Sequence, residues 1–191
     1  KALVADPLVG LELLLKNKKS RVLDSEKLGV SLSHLFAYRE LCKRAGKETC
    51  LNTSWQNLFK NKKFQTDFER IQRAAAEELS RTRSIVEQTF SPTCKISWIS
   101  VPQIYLAELK DDGGRLARRS AGSLYPNLTN GLVAHDSYLT LDPELEIFRE
   151  YTRSQLQVAR LKTKFIKAGG YFRGSFLSGG HIHCMSQVIR E

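Results

Sequence analysis

The four cysteines, Cys42, Cys50, Cys94 and Cys184, contain no Cys-x-x-Cys pair. That argues against a zinc ribbon or a disulfide-stapled scaffold. The expectation is instead reduced, buried thiols in an intracellular compartment, cytoplasmic or nuclear. No apolar stretch approaches the ~20 residues needed to cross a bilayer. There is no phosphate-binding P-loop, no dinucleotide fingerprint and no Gly-x-Ser-x-Gly nucleophile elbow. Acidic residues are also short, with 20 Asp and Glu against 30 Lys and Arg, a net charge of +10. Such an imbalance favours polyanionic partners, nucleic acid first, DNA or RNA alike.

The 191 residues suffice for one large or two small domains, and 41% apolar content supports a packed core. The expected class is α+β: an N-terminal helical half, then an α/β half with a small, mainly antiparallel sheet. A boundary near residue 91 separates a basic helical region, 1–90, from an α/β region, 91–191. Because the chain opens on Lys1 and stops after a strand-like run, it reads as part of a longer chain; an oligomer is the other expectation.

In the first half, Pro7 to Lys16 is leucine-rich, and Ser31 or Ser33 caps a helix that Gly46 stops. A short helix surrounds Trp55. Thr66-Asp67-Phe68-Glu69 fits a capping box, and Phe68, Ile71, Ala75, Leu79, Ile85 and Val86 follow at helical spacing. The tetrapeptide Lys-Asn-Lys-Lys occurs at 16–19 and again at 60–63, after apolar runs, and reads as a basic helix C-terminus both times. In the second half, Lys95 to Val101 and Ser137 to Leu141 have strand composition. Asp142-Pro143 announces a helix whose last turn carries Lys162, Lys164 and Lys167 and which Gly169-Gly170 ends. Tyr171 to Leu177 and His181 to Ile189 read as strands.

Two kinds of candidate site follow. The first is cationic: Arg70 and Arg73 on the capped helix, Arg115, Arg118 and Arg119 in a glycine-containing loop, Arg160, Lys164 and Lys167 on the later helix, and Arg173 on a strand. Such residues neutralise phosphates without reading sequence. The second is His181-Ile182-His183. Residues i and i+2 of a strand share a face, about 6–7 Å apart at the backbone, close enough to ligate one divalent metal (Mn, Mg or Zn). A third ligand is expected from His135, Asp136 or Asp142, with Asp136 at the lip of the Tyr138 strand the preferred choice.

The order of these motifs resembles the nicking domain of HUH endonucleases, the rolling-circle replication initiators. The resemblance rests on Tyr138-Leu139-Thr140-Leu141, the following helix, Gly170-Tyr171-Phe172-Arg173 and the His181-Ile182-His183 strand, about fifty residues in all. It implies metal ligation by His181 and His183 and metal-assisted transesterification of a DNA phosphate by a tyrosine. The chain departs from the family in having no tyrosine after His183, where the family's nucleophile lies, and in having Ser175 or Phe176 at an often acidic position. The resulting expectation is a basic nucleic-acid-binding domain with a metal-dependent phosphodiester-nicking site. The alternatives are a non-enzymatic binding protein, such as a viral nucleoprotein or ribosome-associated domain, and an interaction module of a larger assembly.

Overall fold

The apolar run Ala-Leu-Val-Ala-Asp forms strand β1 (Ala2–Asp6), and Asp6 then turns the chain into helix α1 (Pro7–Lys16). Pro7 stands at the first helical position, where its missing N–H costs nothing. The Asp6 carboxylate accepts from the N–H groups of Leu8 (3.1 Å) and Val9 (3.0 Å), which would otherwise lack partners. A computed structural model describes residues 2–22, 41–47, 50, 53–90, 95–106 and 122–167.

Beyond α1 the chain turns at Asn17, and residues 41–44 are helical. Gly46 ends that helix, as expected. It adopts φ +66°, and the Lys47 N–H bonds the Cys42 carbonyl while the Gly46 N–H bonds that of Lys43. This is a Schellman closure, which needs a left-handed residue and so favours glycine. Cys42 and Cys50 are buried thiols in the core; Cys94 and Cys184 lie outside the described residues.

Helix α2 (Trp55–Leu58) is short, capped by the Ser54 hydroxyl on the Asn57 N–H, and buries Trp55 and Leu58. Helix α3 (Lys62–Phe90) follows. Its start corrects the sequence expectation. Asn61 supplies the cap, its side-chain oxygen accepting from the Phe64 N–H at 3.1 Å, and Thr66 lies one turn inside the helix. The buried stripe is Phe64, Phe68, Ile71, Gln72 and Ala75, whereas Ile85 is exposed because the far half of α3 leaves the core.

Strand β2 (Trp98–Pro102) pairs in parallel with β1, from Ala2 opposite Trp98 to Asp6 opposite Pro102. Gly10 lets α1 settle directly on the backbone beyond β2: a Cβ there would stand 2.3 Å from the Gln103 carbonyl oxygen. Strands β3 (Tyr105–Leu106) and β4 (Gly122–Ser123) form a minimal antiparallel pair.

The last described unit holds strands β5 (Leu132–Ala134) and β6 (Ser137–Leu141), helix α4 (Glu146–Val158) and strand β7 (Lys162–Ile166). β5 is antiparallel to β6, and β7 returns parallel to β6 after the α4 crossover. The class is α+β. The pairings are more even than the expected antiparallel majority, two parallel and two antiparallel among the described residues.

The helix announced by Asp142-Pro143 also differs from expectation. Asp142 does not cap it: its carboxylate accepts from the Glu144 N–H (2.7 Å) in a tight turn, and Leu145 takes the cap position without a side-chain bond. The helix then stops at Val158 instead of running to Gly169. Arg160 adopts φ +63°, and the Leu161 N–H reaches the Leu156 carbonyl while that of Arg160 reaches Gln157, the same closure that Gly46 makes. The chain therefore leaves α4 early, and the stretch carrying Lys162 and Lys164 becomes a strand. The two strands read at Tyr171 to Leu177 and His181 to Ile189 lie outside the described residues, as does most of the loop from Asp111 to Gly122.

The core draws on both sides of residue 91. The rings of Trp55, Phe59, Phe64 and Phe68 pack with centroids 5.2–6.1 Å apart, mostly tilted to one another, and Ile104, Leu106, Tyr125 and Phe148 close over them. Tyr125, fully buried, accepts from the Trp55 indole (3.2 Å) and donates to the Val22 carbonyl (2.7 Å). Both polar groups of this aromatic centre are thereby satisfied.

Candidate nucleic-acid interface

The buried stripe of α3 leaves the opposite face to solvent, and Lys62, Lys63, Arg70 and Arg73 project from it, all exposed. Of the four arginines of α3, Arg81 pairs with Glu78 (3.2 Å) and Arg83 with Glu87 (3.0 Å). Arg83 also lies over the Trp98 ring, 5.3 Å from its centroid. The Glu87 carboxyl is held below its usual range by Arg83 and by the Trp98 indole N–H. Arg70 and Arg73 differ: neither has a carboxylate partner among the described residues. Three positions apart on one helix, they lie about 4.5 Å apart along the axis and share a face.

A second cationic surface lies at the C-terminal end of α4 and along β7. Arg160, Lys164 and Lys167 are exposed and without an acidic partner among the described residues. Lys162 and Lys164 occupy alternate positions of β7, hence one face, and among the described residues β7 is an outer strand of the order β5-β6-β7. Lysines on such an edge also discourage pairing with a foreign strand. Arg153 is tethered differently, 3.7 Å from Glu146 and 5.2 Å over the Phe165 ring. No hydrogen bond or ion pair joins this surface to Arg70 and Arg73 among the described residues.

Asp136, the expected third metal ligand, is on the β5–β6 turn and exposed. Its carboxylate holds the Lys162 ammonium and accepts from the Ser137 hydroxyl at 3.0 Å. The Lys162 bond, then the Ser137 bond, keep the Asp136 carboxyl below its ordinary value, and Lys162 is raised reciprocally. Asp136 is thus occupied in docking β7 onto β6, together with the Lys162 N–H to Asp136 carbonyl bond of 2.7 Å. A metal bound there would share this carboxylate with Lys162 and Ser137. Asp142 is committed as well, to the Glu144 N–H and to the Arg149 guanidinium (2.7 Å). His181, His183, Arg115, Arg118, Arg119 and Arg173 lie outside the described residues. Among the described residues, no cluster of three or more His, Cys, Asp or Glu side chains could hold a metal ion, and no helix is long and apolar enough to cross a membrane.

The pairing that ties up Lys162 is not evident from the sequence. The alternation of Lys162, Lys164 and Ile166 with Thr163 and Phe165 is a strand signal, hidden because Leu161 and Phe165 also fit a helical stripe. In comparisons with known proteins, neither a family model nor a curated protein matches the chain.

Proposed function

We propose that this protein binds nucleic acid through phosphate contacts made by its exposed basic side chains. The observation that carries this reading is the state of Arg70 and Arg73. They share one face of a 29-residue helix, are exposed and have no carboxylate partner among the described residues. Fixed cations on a rigid element meet a polyanion with little ordering cost, and each phosphate neutralised releases counterions. Arg160, Lys164 and Lys167 supply a second contact surface of the same chemistry. Contacts of this kind set affinity and register but carry no base sequence information.

Fluorescence anisotropy with a labelled oligonucleotide tests the reading. Arg70→Gln/Arg73→Gln weakens binding about 10-fold at low salt, the loss of two phosphate contacts at roughly 0.7–1 kcal/mol each. Arg81→Gln/Arg83→Gln, which removes the same charge from arginines already paired with glutamates, weakens it less. Equal affinity for wild type and Arg70→Gln/Arg73→Gln would contradict the assignment of this face.

A further inference from the structure

The tetrapeptide Lys-Asn-Lys-Lys serves opposite helix ends in its two occurrences. At 16–19, Lys16 closes α1 and Asn17 is its C-cap, an end where the helix dipole favours cations. At 60–63, Lys60 follows Phe59, the C-cap of α2, while Asn61 caps the start of α3, so Lys62 and Lys63 crowd the end where the dipole disfavours them. No acidic residue in the first turn of α3 offsets them. A local rule broken without a compensating contact is characteristic of a functional site.

The fold then places the two copies side by side. The segment after α1 pairs with the segment before α2: Val22 N–H to the Thr53 carbonyl (2.8 Å), Trp55 N–H to Ser20 (3.1 Å) and Gln56 N–H to Lys18 (2.7 Å). The single turn of α2 carries the chain from there to Lys60. Between the copies lies an open cleft of about 420 Å³ lined by Lys18, Gln56, Phe59, Lys60, Lys62 and Gln65. Three of the six are lysines, none is acidic, and Phe59 is buried as part of the floor. None of the three lysines makes an ion pair among the described residues. Lys62 makes only a 3.4 Å contact with the Gln65 side-chain oxygen, whose amide nitrogen is given to Glu69. Three like charges gathered in one cleft repel each other until an anion enters from outside.

The geometry points to this cleft as a phosphate-binding site whose occupant is the backbone of a nucleic-acid strand. The inference rests on the function proposed above and adds a second, separate set of residues to it. A polymer is favoured over a small anion because the cationic path continues along α3 from Lys62 through Lys63 and Arg70 to Arg73, about 16 Å along the helix axis. That is longer than one phosphate group. The buried Phe59 offers no exposed ring for stacking, so the cleft reads phosphate and not base.

The test compares two triple variants of equal charge: Lys18→Gln/Lys60→Gln/Lys62→Gln in the cleft, and Lys43→Gln/Lys47→Gln/Lys95→Gln at exposed lysines that do not line it. All six residues are exposed, and a thermal melt of each variant verifies folding. The cleft variant is expected to bind a labelled oligonucleotide at least about 10-fold more weakly, with a salt slope smaller by about 2, as loss of three phosphate contacts requires. The control variant is expected to stay within about 3-fold of wild type, the residual effect of net charge. Equal weakening by both variants, or no weakening by the cleft variant, overturns the inference and leaves the Arg70 and Arg73 contacts standing. Inorganic pyrophosphate binding to wild type at micromolar concentration, with oligonucleotide affinity unchanged in the cleft variant, would make this a small-anion site and overturn the polymer occupant. An oligonucleotide that fails to bind wild type at any salt concentration overturns both readings together.

Discussion

Gln72 lies in the buried stripe of α3, where an apolar residue would be expected, and both ends of its amide are used. Its nitrogen donates to the Tyr105 carbonyl at 2.7 Å and its oxygen accepts from the Tyr105 N–H at 3.0 Å. One side chain thereby completes the backbone of the two-residue strand β3. Gln72→Leu preserves volume but strips both partners, so urea melts should show a loss of about 1–3 kcal/mol. Tyr138 makes a related point about charge. Its hydroxyl donates to the Leu128 carbonyl (2.8 Å), and burial pushes it above the ordinary phenol value of 10.0, as burial also does to Tyr125. A folded-state value raised above the unfolded one means that stability is whole below pH 10 and falls as the unfolded phenol ionises above it. Each such tyrosine contributes a fall of about 1.4 kcal/mol per pH unit there. Tyr138→Phe should be less stable at pH 7, yet show an alkaline decline shallower by about 1 kcal/mol between pH 10 and 11, where the unfolded phenol passes from half to mostly ionised. At the histidines, a metal site predicts that Mn²⁺ or Zn²⁺ raises the melting temperature of wild type but not of His181→Ala/His183→Ala. An unchanged wild-type melt would remove the metal from the account.

At the level of elements, what was legible depended on whether the deciding contact was local. Pro7 and the glycine stop at Gly46 act within a turn or two of themselves, and the sequence reading of each matches the structure; of the apolar positions read along α3, Phe68, Ile71 and Ala75 are buried while Ile85 is exposed. The start of α3 was misplaced because two valid caps lie one turn apart. Asn61 prevails because starting there brings Phe64 into the aromatic cluster beside Phe59 and Phe68. Asn61→Ala should then cost about 1 kcal/mol in thermal or chemical melts, while Thr66→Ala should stay within about 0.5 kcal/mol. The end of α4 was misplaced for a different reason. Its stop uses a left-handed arginine, and nothing in the sequence around Arg160 signals that conformation in the way a glycine would. Arg160→Gly should relieve roughly 1 kcal/mol of backbone strain and raise the melting temperature while weakening oligonucleotide binding. Opposite changes in stability and affinity would separate the two roles of this residue. β1 escaped notice because its five residues show no alternation and its partner β2 is far along the chain.

In the whole molecule, the parallel pairing of β1 with β2 and the shared aromatic core draw residues from either side of position 91 into one packed unit. The candidate site was legible only in part. Charge located Arg70, Arg73, Arg160, Lys164 and Lys167, and all five are exposed. Charge could not tell which cations are already neutralised, as Arg81, Arg83 and Lys162 are, because pairing depends on geometry that the sequence does not print. Nor could the repeated Lys-Asn-Lys-Lys motif announce a cleft, since its two copies meet only through the pairing of residues 18–22 with residues 53–56. The central claim, that exposed cations engage the phosphates of a nucleic acid, has a direct measurement in the salt dependence of oligonucleotide affinity. Wild-type protein should show log affinity falling linearly with log salt, with a slope of about −3 to −5 if four to six phosphates are contacted. A flat response between low and physiological salt would contradict it.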